Sequence, residues 1–413
     1  MIKSLKRNAL YGLSGRGLQY LGQFVLILLL PKILLPETYL EFNLILPVAF
    51  LGSTALFGWM ISSIYRYAHE LHDPNHPEYR ETVFFYYLSA IIVLTVVSIS
   101  LTLSTDSPYA LVPFLLMATA LKNGVNGILN AMERHREFFL SNAGFTFSLL
   151  ALLLTCHMLD GQQLWAPILV YALLDILIGL LFWNRCGIFS TATTPTFHKT
   201  VALGFMSYGA PIVLNNVFTW IIALSDRYLL NFWEPADHVA TYVLTYQFAG
   251  SVITIPMAFI MTMMYPRILK INKEKGVAEA MIYVADGFKK FKRFSLPAGL
   301  LAVIIVTPFM TAFFTTYSID PPLIAILILA HVVMSASHFV NKEFELNGRT
   351  IMISRALMIA ALANVISNLI LIPLFGTRGA GVATLVAYAL MIFLVYRKNT
   401  FLRSSNSESR GVS

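Results

Sequence analysis

Apolar runs closed by charges, Pro or Gly follow one another along the whole chain, and their lengths predict helices that cross a membrane. The runs cover residues 10–30, 40–64, 83–103, 111–131, 138–159, 164–183, 201–224, 239–264, 294–316, 323–340, 351–371 and 379–396. Each is close to the about 20 residues a helix needs to span hydrocarbon. The predicted fold is therefore an all-α integral membrane protein of about twelve transmembrane helices. An even number of spans places both termini on one side. Lys and Arg in short loops are retained in the cytoplasm. With the N-terminus inside, outer loops hold only Lys32, Arg227 and Arg378 of the 29 Lys and Arg, and the spans hold Arg16, Lys122 and Arg355. All the others fall in cytoplasmic segments.

A shift of about 197 residues places Tyr11-Gly12 on Tyr208-Gly209 and Glu37 on Glu234. Both halves then enter from the same side, a parallel six-plus-six repeat with its pseudo-two-fold axis along the membrane normal and a central cavity between the lobes. The expected division is an N-terminal six-helix lobe over 1–199, a C-terminal six-helix lobe over 200–397 and a cytoplasmic tail over 398–413. The longest polar connection, 265–293, alternates Lys with Ile271, Val277, Ala280, Met281, Val284 and Phe288. That pattern suits a helix lying on the anionic inner leaflet or a solvated linker.

Composition narrows the function classes. Residues are 57% hydrophobic and only 12% charged, with a mean hydropathy of +0.70, whereas soluble chains carry about 25% charged residues. A water-soluble enzyme is excluded, and the outer loops are too short to house a catalytic domain, so the protein is expected not to be an enzyme. Arg16 interrupts the first apolar run after Lys3, Lys6 and Arg7, which argues against a cleaved signal peptide. Cys156 and Cys186 lie at opposite ends of a two-helix stretch, so no disulfide is expected.

Polar side chains inside spans carry the candidate chemistry, because each must meet a partner or a wet cavity. The first span offers Asn8, Gly12, Arg16, Gln19 and Gln23 on one stripe, and the fourth offers Lys122, Asn126 and Asn130. The sixth contributes Asp175. At 1.5 Å per residue, Arg16, Lys122 and Asp175 all lie about 12 to 13 Å from their polar flanks. Two cations against one acid leave a surplus positive charge. One reading is a buried network that holds the lobe together. The other is an anion site in a wet cleft, with Arg16 as a bidentate fork and Lys122 as a point charge suited to phosphate oxygens. Gln19, Gln23 and Asn126 complete that candidate site, and Asp175 is the candidate for proton or Na⁺ coupling. Arg66, Arg355, Asn215, Asn364 and His331 are weaker cavity candidates, since snorkelling of the arginines and interhelical hydrogen bonding of the others explain most such residues. His331, Ser335 and His338 share a face with no Cys or carboxylate, so neither a metal nor a cofactor is expected. Tyr39, Phe42, Tyr242, Tyr246 and Phe248 suit either sugar stacking or interfacial anchoring.

The second half resembles a known family. Ala-Leu-Ser-Asp226-Arg227-Tyr228 followed by Ala240-Thr-Tyr242 is similar to the Asp-led junction of polysaccharide flippases. Leu346-Asn347-Gly348-Arg349-Thr350, the pair Asn364 and Asn368, and Ile372-Pro373-Leu-Phe375-Gly376-Thr-Arg-Gly379-Ala380-Gly-Val-Ala383-Thr384 look like that family's later motifs. Arg349 stands where Lys is commoner. Those flippases belong to the multidrug/oligosaccharidyl-lipid/polysaccharide exporter superfamily. The resemblance implies alternating access, a cationic central cavity, and a polyprenyl-pyrophosphate-linked oligosaccharide moved from the inner to the outer leaflet of the bacterial inner membrane. It also implies a role in O-antigen or exopolysaccharide synthesis. Membrane lipids, a polysaccharide polymerase and chain-length machinery are the expected partners, with no nucleic acid. The Asp226-Arg227 pair is expected to cap the outer end of the seventh span. The alternatives are a cation-coupled multidrug exporter of the same superfamily, which would favour intramembrane acids, and a membrane-embedded glycosyltransferase or polymerase, which would need larger outer loops.

Overall fold

The computed structural model describes residues 2–68, 70–73, 75–188 and 194–402, with side chains described throughout except at 2–10 and 13. Among the described residues the regular structure is entirely helical: α1 (Ile2–Ile33), α2 (Pro36–Arg66), α3 (Pro77–Ser104), α4 (Val112–Ala131), α5 (His135–Met158), α6 (Trp165–Arg185), α7 (Lys199–Trp233), α8 (Ala236–Lys275) and α9 (Val277–Phe313). α10 (Pro321–Leu346) and α11 (Ile351–Lys398) follow. Helices are the economical answer in hydrocarbon because they satisfy every backbone polar group internally. α2 through α11 are each long and apolar enough to cross a membrane, while Arg16, Gln19 and Gln23 make α1 more polar.

α11 contains two of the predicted spans. Gly376 breaks it with φ 57° and ψ −135°, a conformation open essentially to glycine. A Cβ there would lie 2.5 Å from Glu234 Oε1. The α1–α2 and α7–α8 junctions share a local design: α1 ends at Ile33 and α2 begins at Pro36, α7 ends at Trp233 and α8 begins at Ala236 after Pro235. Proline's fixed φ and missing N–H suit the first turn of a helix.

Two expected connections are helix instead. α7 continues nine residues past the predicted 201–224 span, to Trp233, so Asp226 and Arg227 lie within the helix and are buried. The polar stretch 265–293 is neither a linker nor a membrane-surface helix. α8 and α9 both run through it and turn at Gly276, whose φ is 87°. Its periodic apolar positions Ala280, Met281, Val284 and Phe288 are covered by Phe339, Val340 and Phe344 of α10 and Val395 of α11.

The chain divides into two compact units, 1–217 and 218–413, and the division falls inside α7. The expected lobe boundary at 199/200 differs by the first half of that helix. This stretch packs on α2: Ser63 Oγ donates to Phe205 O at 2.8 Å, and Gly209 lies against the Trp59 backbone.

Unit 1 is organised around α4. Gly124 leaves room for Trp183 of α6 and Tyr87 of α3, whose rings are 4.6 Å apart, and Trp183 Nε1 donates to Leu121 O at 3.1 Å. Small residues let helices approach where lipid gives no hydrophobic drive to associate. Gly12, Gly15 and Gly22 likewise bring α1 against His135, Phe138 and Thr146 of α5. In unit 2, Glu343 of α10 holds the end of the described chain, accepting from Thr400 N at 2.8 Å and Thr400 Oγ1 at 2.7 Å. Cys156 and Cys186 are free and buried.

Gly376→Ala is expected to cost about 1–3 kcal/mol, because it forces a Cβ into a glycine conformation. Thermal unfolding in detergent would show a lowered midpoint, and an unchanged midpoint would contradict the strain.

Candidate functional site

A cavity of about 360 Å³ opens within unit 1. α1 supplies Arg16, Gln19 and Tyr20, and α4 supplies Asn123, Asn126 and Asn130. α2 adds Ser53, Thr54, Gly58, Ile61, Ser62 and Tyr65, while Phe138 and Asn216 complete the wall. Amides and hydroxyls predominate, so the lining both donates and accepts hydrogen bonds. Arg16 is the single formally charged residue among them. It is exposed, and its charge is felt at the Tyr65 hydroxyl, which hydrogen-bonds Asn130. Among the described residues no acid lies in ion-pair distance of Arg16.

The positions on α4 explain how the polar face is aimed. Asn123, Asn126 and Asn130 are three and four apart, so they share one side of the helix. Asn126 Oδ1 accepts from Asn142 Nδ2 of α5 at 3.2 Å and from Ser141 Oγ at 3.4 Å. Its NH2 group is the half left for the cavity. Lys122 precedes Asn123 by one residue, about 100° round the helix, and it is not part of the lining. Its Nζ lies 3.6 Å from Asp175 Oδ2 of α6 and 4.8 Å from the centre of the Phe145 ring of α5. Ser148 Oγ donates to Asp175 Oδ1, and Tyr171 hydrogen-bonds the same carboxylate. Lys122 is therefore neutralised by Asp175, and the structure does not bring it together with Arg16 around the cavity.

Of the other residues singled out on sequence, Gln19 and Asn126 line the cavity, whereas Gln23 is exposed and outside its lining. Gly12 faces α5 rather than the cavity. The Asn8 side chain lies outside the described residues. Arg66 is exposed and stacks on Tyr208 at 4.5 Å and Tyr67 at 5.4 Å. Asn215 is half-buried, next to the cavity residue Asn216, and Arg355 is exposed in the first turns of α11. Sequence reasoning missed Asn123, Asn216 and the α2 wall. The α2 signal was present, since Thr54, Gly58, Ile61, Ser62 and Tyr65 recur at offsets that follow one helix face.

Unit 2 holds its own buried polar network. Asp226 of α7 accepts from its neighbour Arg227 N at 2.8 Å, from Thr384 Oγ1 at 3.4 Å and from the Tyr242 hydroxyl. The Arg227 guanidinium lies 5.6 Å from the Tyr246 ring centre, and Tyr246 and Tyr388 hydroxyls are 3.0 Å apart. These contacts correct the expected capping role: the pair is an interior charge held by hydroxyls from α8 and α11. Asn364 accepts from Ser225 Oγ and Asn368 Nδ2, each at 3.1 Å. His331 packs edge-on against Tyr246 and its Nδ1 is 2.8 Å from Leu327 O. Tyr39, Phe42, Tyr242, Tyr246 and Phe248 are all buried, so neither interfacial anchoring nor an open stacking surface describes them.

These features define a multi-pass helical membrane protein with a polar cavity in its first unit, whose described lining carries one cation. The chain belongs to the family described as polysaccharide biosynthesis protein, which matches residues 5–272. A curated relative, the probable low-salt glycan biosynthesis flippase Agl15 of Haloferax volcanii, is 20% identical over 234 residues, or 56% of this chain and 49% of the relative. The chain thus matches about half the length of that relative. Among solved structures, the lipid II flippase MurJ in an inward closed conformation gives a TM-score of 0.73 at 15% identity, covering 94% of this chain and 87% of that one. An inward-facing multidrug resistance MATE family transporter of the MOP superfamily gives 0.58 at 13% identity, covering 98% and 96%. The fold is the one seen in these two solved structures.

Asp175→Ala should destabilise the protein by about 3 kcal/mol, because it leaves a largely buried ammonium without its acid. The double variant Asp175→Leu with Lys122→Leu should recover most of the loss, as read from thermal unfolding in detergent. Equal stability of Asp175→Ala and the unaltered protein would contradict the pairing.

Proposed function

We propose that this protein moves polyprenyl-pyrophosphate-linked oligosaccharides from the inner to the outer leaflet of a bacterial inner membrane. Both termini are then cytoplasmic, and two lobes alternate access for O-antigen or exopolysaccharide synthesis. The observation that carries this reading is Arg16, a guanidinium in a cavity lined by amides and hydroxyls, with no acid in ion-pair distance among the described residues. A guanidinium offers phosphate oxygens a bidentate fork. Gln19, Asn123, Asn126 and Asn130 offer donors and acceptors for sugar hydroxyls. Carrying a pyrophosphate and a glycan through hydrocarbon unaided is prohibitive, and a wet cationic passage removes that cost. The family match and the name of the Haloferax volcanii relative agree with a glycan-related cargo.

A multidrug exporter for organic cations fits less well. Such a cargo calls for a free carboxylate in the cavity, and Asp175 is held by Lys122, Ser148 and Tyr171 instead. Asp175 remains the acid proposed for proton or Na⁺ coupling, through exchange of its Lys122 partner.

Reconstituted vesicles loaded with a polyprenyl-pyrophosphate oligosaccharide test the reading, with translocation followed by outer-leaflet accessibility of the glycan. Arg16→Ala is expected to slow translocation by about 10- to 100-fold, the worth of a charge-assisted hydrogen bond, and Arg16→Lys should retain part of the rate. Unchanged translocation by Arg16→Ala would refute the anion site. Faster export of organic cations than of the lipid-linked glycan would favour the exporter.

A further inference from the structure

Unit 2 carries a second cavity, of about 560 Å³, whose chemistry is the reverse of the first. It is a groove between α8 and α9 with α10 as its floor. Its walls are apolar, and Lys290 is the one charged residue among the described residues that line it. Ile260 of α8 and Leu301 and Ile305 of α9 line it and are also exposed, so the groove opens sideways to the bilayer.

The shape follows from the sequence. Near the α8–α9 turn the helices touch, since a Cβ on Gly287 would lie 2.7 Å from Met264 Cε and 3.1 Å from Phe339 Cε1. Farther along, Pro256 within α8 and Pro297 within α9 each remove a helical hydrogen bond, which bends a helix. The apolar run of α9 starts at Phe294, and the groove follows it to Ile305, about 16 Å at 1.5 Å per residue. That depth is one leaflet, about half of the roughly 30 Å hydrocarbon core.

Polarity along the groove falls in the order in which a phospholipid's own polarity falls. At the mouth, Lys290 is largely exposed beside Asp286 at 2.8 Å, a pairing that an incoming anion readily replaces. Arg293 is exposed with its guanidinium 5.6 Å from the ring centre of Phe294, a groove residue. Ser295 lines the wall about 8 Å beyond Lys290, at the level of ester carbonyls, and Ala298, Leu301, Ala302 and Ile305 follow where the acyl chain lies. The headgroup level is also strongly basic. Lys289, Lys290, Lys292 and Arg293 stand against Asp286 on the turns before Phe294, while Glu343 of α10 is engaged by Thr400 and Glu345 by Lys342. A basic pocket between membrane helices, at the level of the headgroups, is the arrangement that anionic lipids fit.

We propose that this groove is a site for one anionic phospholipid of the leaflet on the turn side, with an acyl chain between α8 and α9 and its phosphate at Lys290 and Arg293. A zwitterionic lipid brings an ammonium group to a surface that already holds surplus positive charge, so the site discriminates by headgroup. The assignment uses the membrane spans and unit 2 alone and stands apart from any cargo.

Native mass spectrometry tests it on the full-length protein, delipidated in detergent and titrated with phosphatidylglycerol or with phosphatidylethanolamine of the same acyl chains. The first phosphatidylglycerol is expected to bind at least about tenfold more tightly than the first phosphatidylethanolamine. Lys290→Gln with Arg293→Gln, both on the exposed surface, should weaken phosphatidylglycerol by about 30-fold, the worth of two basic residues at a membrane surface. Lys270→Gln with Lys273→Gln removes the same charge from the far side of the turn and should change binding by less than about twofold. In phosphatidylethanolamine nanodiscs, a trace of phosphatidylglycerol with a photoreactive acyl chain should label residues 298–305, and Ala298→Trp, which fills the groove, should lower that labelling at least about tenfold. Equal binding of the two lipids, equal loss in the two double variants, or labelling spread evenly over the apolar surface would overturn the site.

Discussion

The Lys122–Asp175 pair sets the electrostatics of unit 1. A lone ammonium or carboxylate at mid-helix depth costs at least a few kcal/mol, so the two neutralise each other, with hydroxyls from Ser148 and Tyr171 completing the carboxylate's shell. With that pair closed, Arg16 is the charge among the described residues that line the cavity. In the proposed reading a single guanidinium among amides holds an anionic cargo less tightly than two cations side by side would, which suits a passage that the cargo must also leave.

Small side chains decide where the helices come close and where they leave space. Gly12, Gly15 and Gly22 seal α1 on α5, and Gly124 admits Trp183 and Tyr87 into the heart of α4's packing. On the same side of α1 as Gly12, and on α4 beside the packing at Gly124, Arg16 and the three Asn residues border the cavity, with Asn126 also held by Ser141 and Asn142. Close packing and polarity come from the same two helices.

The two units treat polarity differently. Unit 1 opens its amides to a cavity, while unit 2 closes its acid, arginine and hydroxyls into a buried network around Asp226 and presents an apolar groove instead.

The chain of amino acids by itself determined the helical class, the spans and the polar positions within them, because hydrocarbon leaves a backbone no other way to satisfy its polar groups and makes each charge conspicuous. It also marked Arg16, Gln19 and Asn126 as neighbours of one cavity. Helical spacing could not decide which way Lys122 turns, since a residue one place from Asn123 points about 100° away and its long stem then reaches whatever acid a neighbouring helix provides. Nor could hydropathy tell that Asp226 and Arg227 lie inside α7, or that the basic 265–293 stretch is two helices covered by their own unit. A charge reads as a loop until the hydroxyls of distant helices are seen to hold it, and an amphipathic face reads as lipid-bound until another helix is found lying on it. Those partners are far along the chain in some cases, Thr384 and Asp226 being 158 residues apart, and only the packed tertiary structure brings them into contact.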